Sequence, residues 1–284
     1  MTKVEALLPA WRAAEFIQGT LDSLSAQTHA DFSVCVSVDL GDDDTHAICQ
    51  RHAKRDGRFR VVRQPQRLGY AGNCNFLLAE ARAEYVLFAF HDDLLAPTYL
   101  EALGAALDGA PQAVLAYSDL ELTRLDGRRE LCVYTALEGA ASRIDRGYRV
   151  ATAQGHWWVP NRGVFRLAPA LTIGGVKLHG AGEFSADWPW LFRLSLLGEF
   201  VRVPQTLCFK YYKPGSLSRG WAFSPEQHFE VGASILRELW TSDLNSREKL
   251  SLAIPLTNRL VETLRRTAPS APAKTGAADK AAGP

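Results

Sequence analysis

His91-Asp92-Asp93 directly follows the apolar run at residues 85–90. Adjacent carboxylates at the end of a buried strand are costly unless they are paired or bound to a cation. Hard divalent ions favour such oxygens, most of all beside a phosphate that completes the shell. A cap for the helix near Pro97 is the other reading of Asp93. His91 reads equally well as a ligand neighbour or as a hydrogen-bonded structural histidine. Asp39 ends the apolar run 32–38 in the same way. Its carboxylate can accept hydrogen bonds from a base or ribose, or it can hold the turn before Gly41. Asp42, Asp43 and Asp44 read as helix cap and solvated turn. His156-Trp157-Trp158 and Arg162 combine aromatic faces with a cation suited to an acid or phosphate. Core aromatics on a buried strand are the alternative.

These residues need elements to position them. Short apolar runs at residues 4–8, 32–38, 59–63, 85–90 and 113–117 read as strands. Amphipathic stretches at 13–27, 45–54, 72–82 and 97–107 read as the helices between them. That alternation predicts an α/β fold with a mostly parallel central sheet. In an open parallel sheet, ligands bind beyond the carboxyl ends of the strands. Those ends carry Pro9-Ala10-Trp11-Arg12, then Asp39, then Arg67 and Gly69 leading to Asn75, then His91-Asp92-Asp93. Aromatic, acidic, basic and acidic groups thus converge on one edge.

After Tyr117 the rhythm breaks, and residues 121–165 read as long connections with short edge strands. A helix is expected at 183–198, with strands at 200–203 and 206–212. Ser224-Pro225-Glu226 reads as a helix start, with Ser as cap and Pro at the first position. Phe229, Ile235, Leu236, Leu239 and Trp240 then recur along one face. Ser246 is expected to cap a last helix, which Pro255 should kink or split. The expected divisions are 1–120, 121–223, a helical extension at 224–266 packed on the core, and a disordered tail at 267–284.

The chain has 284 residues, 47% hydrophobic and 22% charged, with formal net charge +1, which excludes a wholly disordered protein. So small a charge argues against a nucleic-acid partner held through a basic face. No apolar stretch reaches the length of a spanning helix, and the first residues show no signal-peptide pattern. The five cysteines form no C-x-x-C pair, which excludes a zinc ribbon and favours free thiols in a cytoplasmic setting. A P-loop, a G-x-G-x-x-G turn and a G-x-S-x-G elbow are all missing from the sequence.

Taken together, the motifs resemble a family 2 glycosyltransferase. Pro9-Ala-Trp-Arg12 is similar to the family's P-x-Y-N-like turn, and Ser23-Leu-Ser-Ala-Gln-Thr28 matches its S-L-x-x-Q-T helix end. Val36-Ser-Val-Asp39, Asp42-Asp-Asp-Thr45, Gly69 to Asn75, and Ala81-Arg-Ala-Glu-Tyr85 follow the family's order. Phe90-His91-Asp92-Asp93 maps onto the D-x-D region, with Phe90 in place of the leading acid. Gly174-Gly175, Phe184-Ser-Ala-Asp187-Trp188, Arg193 and Gly198 resemble the G-G…E-D…R…G segment, with Ala186 for Glu. Tyr211-Tyr-Lys-Pro-Gly-Ser-Leu-Ser218 is similar to the Y-R-x-H-x-x-S-x-S ending, with Lys213 for His. The resemblance spans residues 4–218 and is strongest in the first hundred.

The resemblance implies a GT-A (Rossmann-like) fold and inverting transfer of a sugar from a nucleotide diphospho-sugar, UDP-linked by preference, to a saccharide or glycolipid acceptor. It implies a role in polysaccharide or glycoconjugate synthesis, in the cytoplasm or peripherally at the inner membrane face. Asp187 takes the place of the catalytic base, although an acid at a helix N-terminus is also favoured by the dipole alone. Mn²⁺ or Mg²⁺ would rest on Asp93, with Asp92 beside it. Pro9, Ala10, Trp11, Asp39, Arg67, Asn75, Asp92 and Lys213 would hold the donor, with Arg219 adding charge. His156, Trp157, Trp158 and Arg162 would face the acceptor. The competing readings are a degenerate, non-catalytic binding or scaffold protein, suggested by Phe90, Ala186 and Lys213, and a nucleotidyltransferase. The latter needs a phosphate-binding stretch near the N-terminus, where only Arg12 is available.

Overall fold

The computed structural model describes residues 2–213 and 220–267. Its first half is a run of strand–helix units: β1 (Val4–Ala10), α1 (Ile17–Ser25), β2 (Phe32–Val38), α2 (Thr45–Ala53), β3 (Phe59–Arg63), α3 (Gly69–Glu80) and β4 (Tyr85–Phe88). Every residue of β1 is buried, as expected of a parallel strand covered on both faces. β2 and β3, and β1 and β4, pair in parallel, so the carboxyl ends of all four strands open on the same edge.

The sheet then reverses. β5 (Asp93–Leu95) is a three-residue strand, followed by α4 (Tyr99–Asp108), β6 (Ala113–Thr123) and β7 (Arg129–Cys132). After α5 (Arg143–Ala151) come a 3₁₀ turn (Val159–Arg162), β8 (Val164–Arg166), α6 (Leu167–Ile173), α7 (Asp187–Leu197) and β9 (Glu199–Tyr211). Among the described residues the sheet has nine strands in the order β3-β2-β1-β4-β8-β6-β9-β5, with β7 beside β6. β6 crosses the expected division at residue 120, and β8 and β9 interleave with strands of the first half, so both halves share one sheet.

Several expectations are corrected. β8 is not an edge strand: it pairs antiparallel with β4 and with β6 in the middle of the sheet. Residues 143–151 form a helix, not a connection. Its cap is Ser142, whose hydroxyl accepts from the Asp145 N–H, but its four charged residues hid it among polar loops. Residues 199–211 form one strand rather than two. Pro204 is tolerated because the pairing with β6 jumps from Val203 opposite Ser118 to Thr206 opposite Asp119, a bulge in which its missing N–H costs nothing. The helix expected at 183–198 starts only at Asp187, after Ser185 with φ of 48°.

The C-terminal elements are α8 (Pro225–Trp240) and α9 (Ser246–Thr267). Ser224 and Gln227 form a reciprocal capping box at α8, and Pro225 occupies its first turn. Of the expected apolar face, Ile235 and Leu239 are buried, whereas Phe229 and Trp240 are exposed. Asn245, not Ser246, caps α9, exchanging hydrogen bonds with Glu248. Pro255 does not split α9. Residues 268–284, where the disordered tail is expected, lie outside the described residues. Among the described residues, no helix is long and apolar enough to cross a membrane.

Candidate active site

A cleft of about 1030 Å³ lies over the carboxyl edge of the parallel strands. On one side β1 ends in Pro9, Ala10 and Trp11, all of which line it. The Trp11 ring carries the Arg67 guanidinium 3.8 Å from its centroid. Asp39, at the end of β2, is 3% exposed and accepts from the Leu68 and Gly69 N–H groups at 3.0 Å each. Burial pushes its carboxyl up, over the opposing pull of those two N–H groups. Glu183 accepts from the Ala71 N–H at 3.1 Å, so two acids meet the positive end of α3. Gly69 is required there: its φ is 75°, and a Cβ would sit 2.6 Å from a Glu183 oxygen.

Asn75 is not at the cleft. Its amide donates to the Val176 carbonyl and accepts from the Val176 N–H, fastening α3 to the turn after α6. Gly175 allows this approach, since a Cβ there would lie 2.3 Å from the Asn75 oxygen. The amide that does line the cleft is Asn73. It donates to the Ser37 carbonyl, while its own buried oxygen has no hydrogen-bond partner.

The acid pair divides. Asp92 lines the cleft, whereas Asp93 is 3% exposed and points into the protein. Asp93 meets Arg162 Nε at 2.9 Å and Lys210 Nζ at 3.4 Å, and Lys210 Nζ is also 3.3 Å from Asp92. The β5–β9 register places Asp93 opposite Lys210. Arg162 is sandwiched between the rings of Phe90 and Trp158. Desolvation disfavours its charge, but the acidic groups around it, Asp93 foremost with Asp92 and Asp187, together outweigh that and hold it cationic. Burial alone would raise the Asp92 carboxyl, yet Lys210 and the other charges around it hold it below the ordinary range. His91 Nδ1 faces the Pro9 carbonyl at 3.0 Å.

A divalent ion resting on Asp93 and Asp92 does not fit these residues. Lys210 stands within reach of both carboxylates, where a bridging ion would have to sit. Arg162 and Lys210 already hold both Asp93 oxygens and one Asp92 oxygen, the atoms an ion would need. Among the described residues, the one trio of His, Cys and acidic atoms close enough to hold an ion is Glu130, Cys132 and His156. There Glu130 is already paired with Arg124, and burial pushes the Cys132 thiol up to about 11, away from the thiolate a metal needs.

On the far wall, Asp187 is the first residue of α7 and lines the cleft. Burial pushes its carboxyl up to about 6, against the charge of Arg162 and the N–H groups of its own turn. Asn161, on the 3₁₀ turn, donates to Asp187 Oδ2 at 2.7 Å. The other Asn161 amide atom, Oδ1, is buried without a partner.

Among the expected acceptor residues, Trp157 and Trp158 line the cleft, and Trp157 stacks on Trp188 with centroids 4.2 Å apart. His156 turns away instead: its Nε2 faces Glu130 at 3.1 Å and its Nδ1 the Val133 carbonyl. Arg162 also reaches the cleft, but its guanidinium is committed to Asp93. Lys213 lines the cleft with its ammonium over the Phe16 and Tyr211 rings. Arg219 and the Ser216–Ser218 motif lie outside the described residues. Lys210, Asn161 and Glu183 were not singled out from sequence. Lys210 was open to discovery, because a charged residue in the otherwise apolar run 207–211 needs a buried partner.

Residues 6–121 match the sequence model described as Glycosyl transferase family 2. Among curated relatives, the chain is 31% identical over 90 residues to a putative teichuronic acid biosynthesis glycosyltransferase, TuaG, of Bacillus subtilis. That match covers 32% of this chain and 36% of the relative. It is 30% identical over 104 residues to the GalNAc(5)-diNAcBac-PP-undecaprenol beta-1,3-glucosyltransferase of Campylobacter jejuni, covering 36% and 34%. The chain thus spans about a third or less of the length of the curated relatives it matches. Among solved structures, S. aureus TarS 1-349 in complex with UDP-GlcNAc superposes with a TM-score of 0.69 at 18% identity, over 93% of this chain and 73% of that one. The mannosyltransferase PcManGT from Pyrobaculum calidifontis, in complex with GDP-Man and Mn2+, gives 0.60 at 16% identity, over 95% and 76%. The ordered motifs at the strand ends agree with the family 2 glycosyltransferase match over residues 6–121, and the superpositions show that the chain has a GT-A fold.

Proposed function

We propose that the protein transfers a sugar from a nucleoside diphospho-sugar to an acceptor hydroxyl, with inversion at the anomeric carbon. The observation that carries this reading is Asp187: a carboxylate in the cleft wall, held by Asn161 and raised to about 6 by burial. Such a group is ionised at neutral pH yet more basic than an ordinary carboxylate, as a general base should be. It takes the acceptor proton as the oxygen attacks the anomeric carbon. The bond from that carbon to the diphosphate breaks, and its electron pair leaves with the diphosphate. The opposite wall suits the nucleoside, with Trp11 and Arg67 as a stacking pair and Asp39 as an acceptor for base or ribose. The stacked Trp157–Trp188 pair suits the C–H face of an acceptor sugar.

A UDP-linked donor is supported by the likeness to TarS, whose complex holds UDP-GlcNAc. The C. jejuni relative, named for a lipid-linked glycan acceptor, supports a saccharide or glycolipid acceptor and a place in glycoconjugate synthesis. The test is a screen of UDP-, GDP-, dTDP- and CMP-sugars by thermal shift, followed by Asp187→Asn. The variant is expected to keep donor binding and lose turnover by about 10²–10⁴-fold. Undiminished turnover in Asp187→Asn would overturn the assignment.

A further inference from the structure

Resting on that reading, we propose that Lys210, together with Lys213, supplies as fixed protein charge the neutralisation of the leaving diphosphate, so that donor binding and transfer need no divalent ion. The acid pair is already balanced. Arg162 holds Asp93 from beneath, so Lys210 is not required to neutralise both carboxylates alone. Lys210 lies at the cleft floor, 9% exposed, with its ammonium 3.3 Å from the one carboxylate that faces the cleft. An ammonium has three donors on a flexible stem and pairs with phosphate as a point charge. One N–H can turn to a diphosphate oxygen while the others keep Asp92 and Asp93.

Lys213, three residues further along, lines the same cleft, as does Arg124. Lys213 thus brings a second ammonium to the cleft that Asp92 and Lys210 also line. The sequence departures fall into one pattern. Phe90 stands where the family's leading acid would be and packs against Arg162, and Lys213 stands where its histidine would be. Each change removes a metal-ligating group, and the second adds a cation. In the transfer step the bond between anomeric carbon and diphosphate oxygen breaks, and the electron pair stays on that oxygen. Lys210 and Lys213 meet the new charge by hydrogen bonding and give up no proton. The acceptor proton goes to Asp187.

The experiment is calorimetric titration of UDP and GDP, with uridine and guanosine as controls, in EDTA and in Mn2+. It uses the wild type, Lys210→Met, Lys210→Arg and Lys213→Met. The expected result is one nucleotide bound with the same affinity in EDTA and in Mn2+. Lys210→Met should weaken that nucleotide by about tenfold or more, the scale of one charge-assisted hydrogen bond, and leave its nucleoside unaffected. Lys210→Arg should retain binding, which separates charge from fold, and Lys213→Met should show a smaller loss. Binding that requires Mn2+, or an unchanged nucleotide affinity in Lys210→Met, overturns the inference while leaving the transferase reading intact. Failure to bind either nucleotide in both conditions overturns the donor reading and this inference with it.

Discussion

The two sides of the cleft are built differently. The donor side comes from the ends of consecutive parallel strands, and its groups are held by backbone at a neighbouring strand end or helix start: Asp39 by the Leu68 and Gly69 N–H groups, His91 by the Pro9 carbonyl. The proposed catalytic side comes from a 3₁₀ turn, the first residue of a helix and an antiparallel strand. Its groups are held by side chains instead: Asp187 by Asn161, Asp93 by Arg162 and Lys210. A group positioned by the strand it ends shows itself in a local motif. A group positioned by a buried charge pair does not.

Asp187→Asn should break the catalytic side most severely, and it has a signature beyond lost turnover. In the wild type, the rate should rise as pH climbs through about 6, where the base becomes ionised, and level off above. Residual turnover in the variant should lack that limb. The stability effect has the opposite sign to the activity effect. The native carboxyl is raised from 3.8 to about 6, so between those values the folded state binds more protons than the unfolded. Stability from this group is present at low pH and is lost as pH rises from about 4 to about 6. Asp187→Asn should therefore be more stable than wild type at neutral pH, by on the order of 2 kcal/mol in denaturant titration. A less stable variant would show that Asp187 serves the fold.

Arg162→Met comes next. It leaves Asp93 buried with only the longer Lys210 contact, and should cost about 3 kcal/mol of unfolding free energy. A change under 1 kcal/mol would mean that Asp93 is effectively neutralised without it. Asn75→Ala sharpens the boundary between fold and site. It should cost about 1–3 kcal/mol through the two lost Val176 hydrogen bonds while nucleotide affinity stays unchanged. Weaker nucleotide binding in a folded variant would restore the donor role expected from its motif. The smallest effect is expected from Trp157→Ala, read as a higher acceptor KM with little change in kcat, because it removes one stacking face and no reacting group.

What could be read from sequence follows the same division. β2 and β3 end where the apolar runs end, and the Pro9–Trp11, Asp39 and Asp92 positions all reach the cleft. Parallel strands buried on both faces write themselves as continuous apolar runs, so their ends, and the residues just beyond, are legible. Asn75 misled because its neighbour two positions back carries the same amide on the same helix, and only the packing of the Gly174–Gly175 turn decides which one faces the ligand. His156 misled because its partners, Glu130 on β7 and the Val133 carbonyl just after it, come to it only through the fold.

The sequence by itself therefore determined the α/β alternation and the edge on which chemistry gathers, which depend on short-range patterning and on residues next to strand ends; Asp187 as the candidate base came only from the family resemblance of its motif. Only the tertiary structure decided that β8 joins the two halves in mid-sheet, that Asp93 turns inward, and that Lys210 and Arg162 balance the acid pair. The first rests on strand pairing, and the other two on charge pairs across separations of 69 and 117 residues, where no local pattern encodes which buried cation will meet which buried acid.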